Sequence, residues 1–275
     1  MNKVMLLLAV ASLSACNSKS DAPAAPVVKA ALTFDGAGTT DRAALLKHGE
    51  RLTHVLGCRG CHTDTLQGEL FNEDTPEDGV LYASNLTRVL PTMTDAQLES
   101  LLRTGVHPTR KDLWIMPSEV FQRLSAADMA ALIAHLRTVK PSGKPTPAPV
   151  LSAKFRADLA SGKQKPTAAW VANYKSIVPP DLGDQHALGR YIASITCSEC
   201  HGGDLTGIED FTPNLDIAGS YTAPELTRLL TSGEGKVKKD LGLMSIVGRG
   251  HFAHFTPKER AAVVAYIKAR VDRPN

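Results

Sequence analysis

The chain has 275 residues with a formal charge of +3, 43% hydrophobic and 5% aromatic content, and five cysteines. That length accommodates two domains of about 100 residues each, and so small a charge gives no argument for a nucleic-acid partner. No stretch of the sequence is apolar for long enough to span a bilayer as a helix.

Residues 1–16 read as an export signal: Lys3 is followed by the short apolar run from Val4 to Ala11. The run ends in Leu13-Ser14-Ala15-Cys16, which resembles the bacterial lipobox, so Cys16 is expected to be acylated and to become the N-terminus. Acyl chains would hold the exported protein on the periplasmic side of a membrane. Asn17, a residue other than Asp after the lipidated cysteine, points toward the outer membrane. Residues 17–40 are rich in Ala, Ser and Pro, a composition expected to act as a flexible tether.

Asp41 is a plausible cap for a helix over residues 42–56, with Leu45, Leu52, Val55 and Leu56 along one stripe. That helix runs into Cys58-Arg59-Gly60-Cys61-His62, the attachment signature of c-type haem. Thiols three residues apart share one side of a helical turn and can reach both vinyl groups of a porphyrin. The histidine that follows can fill one axial position of the iron. Further helices are expected over residues 95–103 and, after the cap Ser125, over 126–139. A proline-rich connector begins at Lys140, and residues 151–174 are expected to form a helix interrupted by Gly162 and Pro166.

The same order then recurs. A helix is expected from about Asp184, running into Cys197-Ser198-Glu199-Cys200-His201. Leu66 and Gly68 match Leu205 and Gly207, Phe71 matches Phe211, and Asn85-Leu86 matches Asn214-Leu215. Leu98, Leu101, Leu102, Gly105 and Met116 match Leu226, Leu229, Leu230, Gly233 and Met244 at one constant offset. Middle and final helices are expected over 223–230 and 257–271, the latter with Pro257 at its first position after Thr256. The chain thus reads as a tandem duplication with little strand signal. The expected division is 41–140 and 182–275 for the two copies, with 141–181 as a linker.

Structural zinc and redox disulfides are the competing readings of four cysteines. Zinc sites bring Cys pairs together at short separation, whereas Cys61 and Cys197 lie far apart in the chain. A redox dithiol requires neither the adjacent histidine nor a second copy. Two covalent haems are therefore expected, bound at Cys58, Cys61, Cys197 and Cys200. Removal of Lys3 with the signal leaves +2, and four propionates would bring the total to about −2 with ferrous iron.

The sixth ligand is expected to be a thioether, which favours ferrous iron. Met116 and Met244 are the candidates because the duplication pairs them, whereas Met93 and Met129 suit packing roles. His251 and His254 are rivals to Met244 at the second haem.

With these motifs the chain resembles the bacterial class I-like cytochrome c family, and within it the cytochromes that serve periplasmic alcohol and gluconate dehydrogenases. Asn85-Leu86-Thr87, Arg103-Thr104-Gly105-Val106-His107 and Trp114-Ile115-Met116-Pro117 carry the likeness in the first copy. In the second, Ser245 stands where the pattern has proline. The resemblance implies an all-α fold of two cytochrome c-like domains, with His62/Met116 and His201/Met244 as axial pairs. It implies electron transfer between redox proteins: a dehydrogenase, another cytochrome or a terminal oxidase. The alternatives are a peroxidase-like haem enzyme with one displaceable ligand, or a dedicated subunit of a dehydrogenase complex.

Overall fold

A computed structural model describes residues 31–73 and 75–273. The expected signal and Cys16 lie outside the described residues. From Ala31 onward the chain clusters as one unit.

The first half begins with α1 (Arg42–Val55), capped by Asp41, whose carboxylate accepts from the Ala44 N–H. It leads into α2 (Cys58–His62), the first thiol motif. Two short helices follow, α3 (Leu86–Val89) and α4 (Asp95–Thr104). α4 opens on a capping box between Thr94 and Gln97 and closes on the left-handed Gly105. Then come α5 (Ser118–Phe121) and α6 (Ala126–Leu136), which ends three residues short of the expected Val139. α1 crosses α6 at Gly49, where a Cβ would lie 2.0 Å from the Ala131 carbonyl oxygen. Only glycine permits that approach.

The proline-rich connector, residues 140–150, forms no helix and lies as a belt on the first half. The Ser142 and Lys144 carbonyls accept from the Asn85 amide at 2.9 Å each, and the Gly143 carbonyl accepts from Arg88. Two-residue strands, β1 (Gly79–Val80) and β2 (Val150–Leu151), pair antiparallel. α7 (Ala153–Ser161) buries Phe155, whose ring meets Trp114 edge-on, and α8 (Thr167–Tyr174) lies over Gly105. Residues 141–150 are almost all exposed and are held by hydrogen bonds to Asn85, Thr87 and Arg88, while the buried Phe155 ring anchors the helix that follows.

The second half repeats the plan: α9 (Ala187–Thr196), α10 (Ser198–His201), α11 (Ala223–Ser232), α12 (Leu243–Gly250) and α13 (Pro257–Val271). α9 crosses α13 at Gly189, where a Cβ would lie 2.1 Å from the Ala262 oxygen, matching the Gly49 crossing. Thr222 and Thr256 both close capping boxes. The segment with His251 and His254 is a short 3-10 turn after α12 rather than an open loop.

The tether expected over 17–40 extends too far along the chain. Phe34 is fully buried, and Asp35 binds Lys258 and the Thr256 hydroxyl, so the packed chain has begun by residue 34. An aromatic ring seated in a core outweighs the flexible composition around it.

Candidate functional site

Each thiol motif is built the same way. The histidine carbonyl accepts from a later glycine, Gly68 to His62 at 2.9 Å and Gly207 to His201 at 2.8 Å. The turn between them uses left-handed backbone at Leu66 and Leu205, and at Gly68 and Gly207. Leu66 and Leu205 are buried, and their carbonyls accept from Leu86 and Leu215 respectively. Burial of the leucine side chains compensates their uncommon φ.

That turn brings a backbone oxygen to the imidazole. His62 Nδ1 donates to the Ser84 oxygen at 2.7 Å, and His201 Nδ1 to the Pro213 oxygen at 2.9 Å. With the proton fixed on Nδ1, the lone pair is on Nε2, which has no protein partner among the described residues. This is the tautomer and the outer hydrogen bond that metal-ligating histidines use. Burial holds both imidazoles below their ordinary pKa, which favours the neutral form that can ligate.

The four thiols do not converge as a zinc site. No group of three or more His, Cys, Asp or Glu residues could hold a metal ion among the described residues. Burial pushes Cys58 up to about 12, with neighbouring Cys61 adding to the effect, and pushes Cys197 up to about 11. Burial, then Glu199, raises Cys61 to about 11, and the same two causes together with Cys197 and Cys61 raise Cys200 to about 12. Neutral thiols of this kind are poor disulfide nucleophiles. All four cysteines are free.

The candidate sixth ligands differ in backbone setting. Met116 precedes Pro117, which disfavours helical backbone at the residue before it, and Ile115 has φ 65°. Met244 precedes Ser245 and lies in the first turn of α12. Both methionines are partly buried and pack against the core. Exposed apolar side chains flank each in sequence: Ile115 beside Met116, and Leu243 and Ile246 around Met244. Met93 and Met129 are core residues, as their sequence setting suggests.

His251 and His254 were expected near the second haem. They lie against the first motif instead. A Cβ on Gly60 would be 2.8 Å from His251 Nε2, and His254 stacks on His54 with ring centroids 4.1 Å apart. The two halves bury their surfaces against each other and carry this segment across, a pairing that sequence spacing does not reveal. His107 organises its own loop, with Nδ1 accepting from the Thr109 and Arg110 N–H groups at 3.1 Å each.

Residues 186–270 match the cytochrome c family model. The second half carries a cytochrome c domain. Over 262 aligned residues the chain is 26% identical to the cytochrome c subunit of a quinone alcohol dehydrogenase from Gluconobacter oxydans (strain 621H). The alignment covers 84% of this chain and 52% of that relative, so the chain spans about half of the relative's length. The cytochrome c domain implies haem c, and the motif residues present fit that group: paired thiols on one helical turn beside an imidazole held for ligation.

Glu199 and Glu119 escaped the sequence reading. Glu199 is exposed on one side, and the protein crowded on the other pushes its carboxyl up to about 7; burial, with Glu199 adding to it, does the same to the half-buried Glu119. Glu199 lies inside a motif whose variable positions carry no signal, so the sequence held no clue to it.

Proposed function

We propose that the chain is a dihaem c-type cytochrome that carries electrons between redox proteins outside the cytoplasmic membrane, anchored through lipidated Cys16. Cys58 and Cys61 hold one haem, and Cys197 and Cys200 the other, through thioether bonds. His62 and Met116 would hold the iron in the first half, and His201 and Met244 in the second. The observation that carries this reading is the repeated imidazole lock, His62 to Ser84 and His201 to Pro213. One matching turn could arise by chance; two on duplicated Cys-x-x-Cys-His helices are a site built twice.

Bound haem supplies one-electron chemistry at the iron. The chain's own residues set its terms. Ser84 and Pro213 carbonyls aim each Nε2 and raise the basicity of the ligand. The apolar core around Leu52, Leu98 and Leu102, and its counterpart around Ile192, Leu226 and Leu230, lowers the local dielectric and disfavours extra charge on ferric iron. The partner is a redox protein, and the relative makes a dehydrogenase the first to try. The membrane is reached through the lipid, and no nucleic acid is involved.

A dihaem peroxidase would require one open or displaceable axial position. The placement of His251 beside Gly60 and of His254 on His54 supports Met244 over them as the ligand in the second half. Absorption spectra of the oxidised and reduced holoprotein test the assignment. Two closed His/Met centres predict the weak red-edge band of Met-ligated ferric haem at two-haem strength and no carbon monoxide binding. Carbon monoxide binding at one haem would overturn the carrier assignment for that half.

A further inference from the structure

Two buried carboxylates join the halves, and they occupy equivalent places. Asp128 and Glu259 are each the third residue of the last helix of their half, after the caps Ser125 and Thr256. Arg51 and Tyr191 are also equivalent, each two residues beyond the glycine at the helix crossing. Each reaches across the seam. Arg51 donates to both Glu259 oxygens at 2.7 and 2.9 Å, and the Tyr191 hydroxyl donates to Asp128 at 3.0 Å. Both carboxylates are fully buried. Such reciprocity is the geometry of an isologous interface, here between two halves of one chain.

The seam runs up to the thiol motifs, because α1 and α9 each feed directly into one. At its ends each half touches the other's motif region. His251 stands over Gly60, while Arg123 donates to the Ser194 carbonyl at 3.0 Å, one turn before Cys197. Cys61, Glu199 and Cys200 are near enough to act on one another electrostatically. A buried pair that breaks leaves an uncompensated charge, so the arrangement resists rotation of one half against the other.

We propose that Arg51 with Glu259, and Tyr191 with Asp128, are positioning residues that fix the two haem motifs face to face as one electron relay. The inference rests on the dihaem reading above. An electron accepted from a reduced protein partner at one centre reduces the ferric iron of the other, and no bond forms or breaks. The carboxylates act through geometry and touch neither iron.

The test uses the full holoprotein and three readouts: haem content, the Met-ligand band, and Soret circular dichroism, which senses the distance and orientation between two haems. The wild type should give a two-signed Soret couplet. The double variant R51Q/Y191F should lose more than half of that couplet while keeping two haems and both Met-ligand bands. R51E should lose it as well, and R51E/E259R should regain it. Y191F alone removes one hydroxyl, while His48, Ser125 and the Phe34 N–H still bind Asp128, so it serves if the stronger variants fail to fold. A couplet unchanged in the double variant, or absent from a wild type carrying two haems, overturns the proposal. One haem per chain would instead contradict the dihaem reading on which it rests.

Discussion

The two halves agree around the histidine and diverge around the methionine. On the histidine side, the thiol helix, the left-handed leucine and glycine, and the imidazole-to-carbonyl bond recur almost unchanged. On the methionine side, Met116 precedes a proline while Met244 lies within a helix. Even matched residues serve different ends: Asn85 ties down the connector, whereas Asn214 accepts from the buried Arg270. The covalent chemistry of two thiols and one imidazole tolerates a single geometry. A lone thioether can be delivered by any backbone that ends in the right place.

Removal of one thiol pair at a time tests that comparison most severely. C58A/C61A and C197A/C200A should each lose one haem, halving the Soret absorbance per chain. Loss of both haems from either variant would show that the histidine-side sites are not independent.

The seam gives the next effect. Asp128 accepts from His48, Ser125, Tyr191 and the Phe34 N–H. Asp128→Ala should destabilise the protein by about 3–5 kcal/mol in chemical unfolding, because it strands those partners in a buried place. Tyr191→Phe, which removes one bond of that set, should cost about 1 kcal/mol. Equal losses would mean that the network is not shared as its geometry indicates.

Acid behaviour separates the halves more gently. His54 corresponds to Ser194, which does not titrate. Burial, with neighbouring His254 and Arg59, lowers His54 from 6.5 to about 4. Its contribution to stability is therefore complete above pH 6.5 and is lost as the pH falls toward 4, where the unfolded chain binds the proton more readily. His54→Gln should flatten the decline in melting temperature between pH 7 and 5. An unaltered slope would assign the acid sensitivity elsewhere.

Much of this was legible in the residues. Caps at Asp41, Ser125 and Thr256 and the glycine-ended helices are local signals, and the structure follows them. What escaped was every long-range pairing: Phe34 entering the core, the connector wrapping Asn85, and His251 crossing to the first motif. These depend on surfaces that meet only after folding, so periodicity along the chain does not record them. Glu259 shows the division within one residue. Its capping role is written in the Thr256 to Glu259 spacing, and its bond to Arg51 is not.

Whether both histidine-side sites hold a haem is decided by the intact mass of the purified holoprotein, read against the apo chain. The expected result is an added mass of two haems, with peptide mapping placing one on Cys58 and Cys61 and the other on Cys197 and Cys200. A single added haem, or thiols recovered free at either motif, would contradict it.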